Sequence, residues 1–416
     1  MANQLLTRQE ITRESLMVLE NELHVVKNFY RDLDQEFGKK GGKIGSTIFV
    51  RKPPRAIGRD GQQYQPEGMT DTEVPVAINQ QSGVDFEFSS AEKFLSIDEF
   101  KQRYLDPYMI ALANKLDYRC ALTAMQNTAN FVGTPGTTPG LNSTDAFLIY
   151  RQAGQKLDEM GFPLEGGRTM VITPAMVTGW LDFAKAFFNP TGALSKQWKQ
   201  GQVSNALGYE WYTDQNIATQ VIGALGGTPA VNGASQTGTS LITNGWTASV
   251  SGLLSLGDVI SITGVYAVNP QNRNSTGSLQ QFVVQATANS DSGGNSTLSI
   301  MPAIVPSGQF QNVTASPASG ALINVYNTAA AGQSALSGVS TPQGLLFHRQ
   351  AFAFVSFPGD VPEGVDMGYE DRSPDVGVSL RFVRIWDGYR DQWVNRFDVY
   401  YGIAPLYMEG ACRISS

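Results

Sequence analysis

Few side chains in this sequence could perform chemistry, and the first candidate is a serine in a glycine-rich motif. Residues Ser290–Gly294 read SDSGG and contain the DSGG that surrounds a serine-protease nucleophile. That chemistry needs a histidine base oriented by a carboxylate, and the chain has only His24 and His348. The sequence places His24 in an arm helix and His348 in an apolar strand, so we interpret the motif as a turn of small residues.

Motifs for phosphate, nucleotide or metal binding do not fit either. Residues Gly38–Lys43 read GKKGGK, but the phosphate-loop spacing fails because Phe37 stands where the first glycine is required. The chain contains no G-x-G-x-x-G and no D-x-D-x-D-G loop, and two distant histidines leave only carboxylates as metal ligands. Cys120 shares a helical stripe with Leu112 and Leu116, which indicates a buried structural thiol. The sequence therefore predicts no catalytic residue, no cofactor and no metal site.

A basic run is the strongest candidate for a binding surface. No acidic residue lies between Glu36 and Asp60, while seven basic residues do. They are Lys39, Lys40, Lys43, Arg51, Lys52, Arg55 and Arg59. A solvated loop is one interpretation, because charge runs usually are solvated. The other is contact with an acidic surface of a neighbouring subunit; nucleic acid is less favoured, since few aromatic side chains are interleaved to stack on bases.

The composition limits the class of protein. The chain has 416 residues, of which 42% are apolar and 16% charged, so it can bury a core. Its length predicts two or three domains. The net charge of −7 argues against a protein that binds nucleic acid over most of its surface. Two cysteines are too few for a disulfide framework. The first 22 residues lack a signal-peptide core and no long apolar run follows, so we expect neither export by that route nor a membrane span.

A sharp change in composition marks an insert. Residues Gln220–Gln343 contain only three charged side chains, Asp258, Arg273 and Asp291, whereas the rest of the chain contains 64. Segments such as LLSLGDVISITGV, which starts at Leu253, alternate partially and are separated by Gly, Asn and Ser turns. The pattern favours a small β-barrel or sandwich over a low-complexity linker.

Outside the insert the sequence predicts mixed α and β structure. The predicted helices are an amphipathic arm over 14–36, a run from the capping box at Ser96–Glu99 to about Phe131 that is either two helices or one kinked at Pro107, and a further helix over 144–160. The predicted strands are Thr47–Lys52, Val74–Asn79, a strand at Val84–Phe88, Arg168–Thr173, and alternating segments at Val376–Phe382 and Phe397–Tyr401. The polar stretch Pro53–Thr72 predicts a protruding loop between the first two strands. Met109, Leu112, Leu116 and Cys120 form the apolar stripe of the long helix.

Several segments, in this order and spacing, resemble the major capsid (coat) proteins of tailed bacteriophages. They are YLDPYMIALANKLD (Tyr104–Asp117), NFVGTPGTTPG (Asn130–Gly140), KLDEMGFPLEGGRTMVITPAM (Lys156–Met176), ALGYEWY (Ala206–Tyr212), GLLFHRQAFAF (Gly344–Phe354) and RFDVYYG (Arg396–Gly402). The position of the insert resembles the subgroup of short-tailed-phage coat proteins that carry an inserted β-barrel.

The resemblance implies an α+β capsid fold in five parts. These are an N-terminal arm (1–45), an extended loop with flanking strands (46–95), a peripheral domain with a spine helix leading into an axial domain (96–219), an inserted β-barrel domain (220–343), and axial and peripheral C-terminal strands (344–416). It implies a non-enzymatic protein that forms pentamers and hexamers of an icosahedral shell enclosing double-stranded DNA. In this interpretation Arg51, Lys52, Arg55 and Arg59 are inter-subunit contact candidates.

The same resemblance implies particular partners and a location. A scaffolding protein and a portal would take part in assembly in the host cytoplasm, the finished protein would lie in the virion, and packaged DNA would be contacted weakly and non-specifically, with no membrane involved. Three alternatives stay open at this point. They are a virion decoration or receptor-binding protein, a bacterial nanocompartment shell of the same fold, and a carboxylate-based glycosidase, for which no acidic pair stands out.

Overall fold

A computed structural model describes residues 8–31, 47–52, 55–56, 61–63, 71–89, 105–140, 146–164, 167–184, 205–326, 336–373 and 376–415. The chain divides into two compact units. The first unit comprises Met1–Val50, Glu73–Cys120 and Phe352–Leu406, and the second comprises Arg51–Thr72, Ala121–Ala351 and Tyr407–Ser416.

The helices and strands follow the mixed pattern that the sequence predicts. The helices are α1 (Arg8–Glu22), α2 (Asp106–Asn127), α3 (Ala146–Glu159) and α4 (Pro174–Ala184). The strands are β1 (Thr47–Lys52), β2 (Thr72–Ala77), β3 (Gln80–Ser89), β4 (Phe131–Val132), β5 (Arg168–Ile172), β6 (Asn205–Ala206), β7 (Tyr209–Thr213), β8 (Thr219–Val221), β9 (Gly227–Val231), β10 (Gly238–Trp246), β11 (Val259–Val268), β12 (Ser275–Val284), β13 (Ser296–Ile304), β14 (Ile323–Val325), β15 (Ser340–His348), β16 (Phe352–Phe357), β17 (Met367–Arg372), β18 (Ser379–Asp387), β19 (Gln392–Pro405) and β20 (Ala411–Ser415). Within the described ranges, no helix is both long and apolar enough to cross a bilayer.

The first unit is built on an antiparallel sheet around the long strand β19. One side of β19 pairs with β18 and then with β16, and the other side pairs with β3 over ten residues. Phe86 of β3 stacks between Tyr108 of α2 and Phe397 of β19, at ring-centroid distances of 4.9 and 5.9 Å. The predicted stripe of α2 is confirmed, because Met109, Leu112, Leu116 and Cys120 are all fully buried.

A buried aspartate fixes strand β3 in this sheet. The side chain of Asp398 is fully buried and accepts hydrogen bonds from Arg381 (2.6 Å), Arg396 (2.7 Å) and Gln81 (3.0 Å). Gln81 lies in β3, the strand that follows β1 and β2 in the chain. Strands β1 and β2 pair with each other, as the sequence predicts. One hydrogen bond to a buried carboxylate, from Gln81 to Asp398, therefore anchors strand β3 in the predicted extended-loop region, and hydrogen bonds to charged groups are the stronger kind.

Two predicted helices end earlier than the apolar spacing indicates. Helix α1 ends at Glu22 rather than near residue 36, because the backbone N–H groups of His24, Val25 and Val26 donate to the buried carboxylate of Asp117. Donors bound to a carboxylate cannot serve the carbonyl groups one turn back, so the helix stops. Helix α2 ends at Asn127 rather than near Phe131, and the hydroxyl of Thr128 donates to the carbonyl of Ala124 at 2.7 Å.

The second unit contains a mixed seven-stranded sheet. Its order is β4-β20-β15-β5-β7-β6, with β8 also paired to β15, and the β4–β20 and β5–β7 pairs are parallel. Helices α3 and α4 contribute to one apolar core with this sheet. At its centre the rings of Tyr150, Trp180 and Trp211 lie with centroids 5.2 to 5.7 Å apart.

The second unit also contains the predicted barrel. Six strands follow the order β14-β11-β12-β13-β10-β9, and hydrogen bonds from Val231 N to Ala321 O (2.9 Å) and from Gly320 N to Val231 O (2.8 Å) join its two edges. The small-barrel prediction is confirmed. Strand β11 begins at Val259 rather than Leu253, because the carbonyl of Leu253 accepts from Leu225 in a separate buried turn.

Candidate functional site

The basic segment at the end of β1 has intramolecular partners. Arg55 Nη2 lies 3.3 Å from Glu409 Oε1, and each side chain is about a quarter exposed. The ammonium of Lys52 lies 5.0 Å from the centre of the Tyr407 ring. Burial lowers the pKa of Lys52, an effect that Glu409 opposes and Arg55 reinforces.

The predicted inter-subunit contact assumes a run of positive charge without any counter-charge. That premise is wrong for Arg55, because Glu409 neutralises it from 354 positions away. Arg51 is exposed at the end of β1, and Arg59 lies outside the described residues. The structure thus brings together Lys52 and Arg55 around Tyr407 and Glu409, while the inter-subunit role of all four residues stays a prediction.

The motifs with possible catalytic chemistry have structural partners instead. Ser290 Oγ donates to the carbonyl of Thr247 (2.6 Å) and accepts from the N–H of Val250 (2.8 Å). Asp291 Oδ1 accepts from the N–H groups of Gly293 and Asn295, both at 2.8 Å. The interpretation of this motif as a turn is therefore confirmed.

The cysteines and His348 are likewise structural. Both cysteines are free and buried. Burial raises the pKa of Cys412 to about 12 and that of Cys120 well above its ordinary value, so neither thiol is ionised at neutral pH. His348 is buried on β15, where burial and the neighbouring Arg168 lower its pKa. His24 lies beyond the end of α1, not within the arm helix as predicted.

A buried polar network in the second unit centres on Asp258, in the turn before strand β11. Its side chain accepts four hydrogen bonds: Oδ1 from Gln220 Nε2 (2.8 Å) and Tyr326 Oη (2.7 Å), and Oδ2 from the N–H groups of Gly223 (3.1 Å) and Ser255 (2.8 Å). Burial raises the pKa of Asp258, and these hydrogen bonds oppose the rise. One of the three charges of the insert is therefore entirely internal.

A buried arginine from the end of the chain completes this junction. Arg413 on β20 is fully buried, and its Nη1 donates to the carbonyl of Gly257 (2.8 Å) and to Gln343 Oε1 (3.2 Å). Burial lowers the pKa of Arg413, whereas the nearby Tyr326 and Asp258 act to raise it. We call Gln220, Gly257, Asp258, Tyr326, Gln343 and Arg413 the junction residues.

A second contact joins the barrel to strand β4. The side-chain amide of Gln281 accepts from the N–H of Phe131 (2.8 Å) and donates to its carbonyl (2.9 Å). The ring of Phe131 packs edge-on against Tyr326 at 5.1 Å, within the apolar core of the barrel. One buried site thus joins Gln220 and Gln343, the first and last residues of the insert, to strand β4 and to the C-terminal strand β20. The side chains at this site hold these elements in position.

Sequence reasoning missed the junction, although one signal was present. Asp258 is one of three charged residues in 124, and it stands within a strongly apolar segment. A lone carboxylate in such a segment indicates a buried group with dedicated donors. Arg413 carried no comparable signal, because its partners Gly257 and Gln343 lie 156 and 70 positions away.

The chain is similar to known proteins in sequence and in structure. A family model described as P22 coat protein, gene protein 5, matches residues 52–410. No curated protein matches the chain in sequence. The chain is similar in structure to a protein of Mycobacterium phage Che8, with 13% identity, 94% of this chain and 90% of that chain covered, and a TM-score of 0.47.

Two further solved structures are similar. The capsid of Ralstonia phage GP4 shows 8% identity, covers 94% of this chain and 88% of that chain, and has a TM-score of 0.44. The CUS-3 coat protein I-domain shows 23% identity over 24% of this chain and 96% of its own, with a TM-score of 0.18. At these low identities and TM-scores, family membership follows from the sequence match alone. Because that match spans most of the sequence, the chain belongs to the P22 coat protein family and is a structural major capsid protein of a tailed bacteriophage.

Proposed function

We propose that copies of this chain form pentamers and hexamers that close into an icosahedral shell around double-stranded DNA. The observation that carries the proposal is the family match over residues 52–410. Identical subunits in cyclic rings make heterologous contacts, and a shell results when the rings curve and close. The net charge of −7 suits a wall that encloses DNA without adhering to it, so DNA contact is weak and non-specific.

The proposed assembly involves further partners and a sequence of locations. A scaffolding protein and a portal take part while the shell forms in the host cytoplasm, and the finished subunit resides in the virion. The insert, residues 220–343, is a separate domain within this scheme, and its base is fixed by the junction residues. Coat-family membership favours a shell subunit over a decoration protein or a nanocompartment.

Electron microscopy of the expressed protein tests the proposed assembly. We expect closed particles with five-fold and six-fold capsomers when the chain is expressed with the products of neighbouring genes, one of which supplies the scaffold. Sedimentation gives the particle fraction. A subunit that stays soluble with every candidate scaffold, yet binds to shells made of another protein, would instead be a decoration protein.

The basic segment is proposed to contact carboxylates of a neighbouring subunit through Arg51, Lys52, Arg55 and Arg59. The support is the composition of the segment: no acidic residue lies between Glu36 and Asp60, while seven basic residues do. Arginine can form bidentate pairs that fix the orientation of a partner. Because every subunit repeats each contact, small energies accumulate over the shell.

A charge swap separates the in-chain role of Arg55 from the proposed contact. Arg55→Glu places two carboxylates together and is expected to lower the free energy of unfolding of the subunit by about 1 kcal/mol. Adding Glu409→Arg should restore the urea midpoint while still reducing shell yield and making it salt-sensitive. Arg349→Glu, at an exposed arginine of the same unit, is the control. Normal shells from the swapped variant would limit Arg55 to its in-chain ion pair.

A further inference from the structure

The barrel carries a surface groove that is separate from the junction residues. Strands β10 and β13 pair with Ile242 opposite Thr297, and both side chains are exposed on the outer face of the barrel. The segment before β13 lies along one side of this face, and the resulting groove has a volume of about 380 Å³. That volume is within the range of small-molecule sites. We call it the barrel groove, and its lining residues are Ile242, Asn289, Ser290, Asp291, Asn295, Ser296 and Thr297.

The lining of the barrel groove is polar and almost uncharged. Six of its seven residues offer hydroxyl, carboxamide or carboxylate groups, and Asp291 is the one charged residue among them. The seventh, Ile242, is 48% exposed and supplies an apolar surface. None of the seven lining residues is basic or aromatic. The groove therefore suits a neutral ligand that has many hydrogen-bonding groups and one apolar face.

The carboxylate of the groove is held in position without a ligand. Asp291 Oδ1 accepts from the backbone N–H groups of Gly293 and Asn295, both at 2.8 Å. Among the described residues, Oδ2 accepts only from Asn295 Nδ2, at 3.0 Å. The side-chain amide and backbone N–H of Asn295 lower the pKa of Asp291, so this group is ionised at neutral pH. Its Oδ2 keeps lone pairs that can accept from a ligand hydroxyl.

Two further side chains of the groove have hydrogen-bonding capacity left for a ligand. Asn289 Oδ1 accepts from the N–H of Gly252 at 2.8 Å, which fixes the side-chain amide and leaves its Nδ2 hydrogens to donate. Ser296 is only 7% exposed, and its hydroxyl has no hydrogen-bond partner among the described residues. Buried hydroxyl groups usually have a partner, so this one indicates that a bound molecule completes the site.

Other classes of ligand fit the barrel groove less well. A nucleic acid would bring phosphates toward the Asp291 carboxylate, without a basic or aromatic groove residue to compensate. A calcium ion takes about six to eight oxygen ligands, whereas the groove has one carboxylate, whose oxygens already accept from N–H groups. Protein interfaces derive most binding energy from tryptophan, tyrosine and arginine, and none of these lines the groove.

We infer that the barrel groove binds a neutral saccharide, with Ile242 against the face of one sugar ring and Asp291 accepting from its hydroxyl groups. A sugar ring has C–H groups on its faces and hydroxyl groups along its edge, which matches one apolar side chain among polar ones. Sites built to pair with hydroxyl groups strongly reject analogues that lack them. Hydrolysis of a glycosidic bond takes two carboxyl groups, so a groove with one carboxylate binds a saccharide without cleaving it.

Saturation-transfer NMR of the soluble full-length subunit tests the inference. The probes are neutral hexasaccharides of glucose, mannose, galactose and N-acetylglucosamine, and at least one of them should bind with a Kd of about 1 mM. Ile242→Ser removes the apolar contact and should weaken that binding about tenfold. Thr297→Val keeps the shape but removes a hydroxyl, and should weaken it about fivefold. Both positions are exposed, so the urea midpoints of the two variants should match that of the wild type.

Leu322→Ser is the matched control, because Leu322 is a 53% exposed apolar residue of the same barrel outside the groove. It should bind the hexasaccharide as the wild type does. The inference would be overturned if no hexasaccharide bound, or if binding were unchanged in both Ile242→Ser and Thr297→Val. Binding of a sulfated heparin hexasaccharide alone would overturn it in favour of an anion site, and loss of binding in EDTA would overturn it in favour of a cation site. None of these outcomes depends on shell formation, so the proposed assembly is tested separately.

Discussion

Asp258→Asn is expected to lower the free energy of unfolding of the subunit by about 3 kcal/mol. Asparagine has the same shape, but its amide nitrogen must replace one of the two carboxylate oxygens. Oδ1 accepts from Gln220 and Tyr326, and Oδ2 accepts from the backbone N–H groups of Gly223 and Ser255. With the amide nitrogen at the Oδ2 position, the N–H groups of Gly223 and Ser255 both face another donor. At the Oδ1 position, Gln220 Nε2 faces a donor, whereas the Tyr326 hydroxyl can rotate to accept.

The lost charge adds to this cost. The carboxylate of Asp258 stabilises the protonated form of Arg413, whose Nε and Nη2 have no hydrogen-bond partner among the described residues. Removing the charge leaves a buried guanidinium supported only by the carbonyl of Gly257 and the amide oxygen of Gln343. The penalty for an uncompensated buried charge is large.

Urea unfolding of the subunit, followed by tryptophan fluorescence, measures the effect. Asp291→Asn is the matched control, because it makes the same chemical change at an exposed aspartate of the same insert. There water can replace the lost acceptor, so the midpoint should stay close to that of the wild type. Equal midpoints for the two variants would show that the Asp258 hydrogen bonds are not formed in solution.

The elements of this fold that could be predicted are those whose signal is local. The stripe of α2 repeats every three or four residues, and one-sided burial produces that spacing directly. The barrel could be predicted from short β-rich segments in a region almost free of charge, because all of its strands come from that one region of the chain. Asp106 and Pro107 predict either a helix start or a kink at that point, and α2 begins at Asp106, while residues 96–104 of the predicted run lie outside the described residues.

Helix ends and polar partners could not be predicted, because distant residues decide them. Helix α1 stops where Asp117, 93 positions from His24, accepts its backbone donors. Apolar periodicity continues past that point, so the pattern indicated a longer helix. Glu409 neutralises Arg55 across 354 positions, and no local pattern pairs one carboxylate with one of seven basic residues. Such pairings become visible only when the topology is known.

Leu116→Asp is expected to have the largest effect in the first unit, lowering the free energy of unfolding by about 4 kcal/mol. Leu116 is fully buried on α2, between Leu112 and Cys120 on the same stripe. The neighbouring carboxylate of Asp117 tolerates burial because three backbone N–H groups donate to it. Those donors are already committed to Asp117, so a carboxylate at position 116 enters an apolar core without them.

The pH dependence of this variant distinguishes a buried charge from a simple packing defect. An apolar environment raises the pKa of the introduced aspartate above its unfolded value, so its native form binds a proton more readily. Stability should therefore fall as pH rises through the native pKa and recover in part on acidification. Leu116→Ala, expected to cost about 3 kcal/mol, lacks this pH dependence and leaves enough folded protein to measure.

Ala111→Asp is the position control, because Ala111 lies on the exposed face of the same helix. It introduces the same charge into water and should change the urea midpoint little. A coat subunit must fold before it can assemble, so Leu116→Asp should also sharply lower the yields of soluble protein and of shells together, whereas Ala111→Asp should retain the normal yield of soluble subunits. Normal shells from Leu116→Asp would mean that α2 has a different register, with another face of the helix in the core.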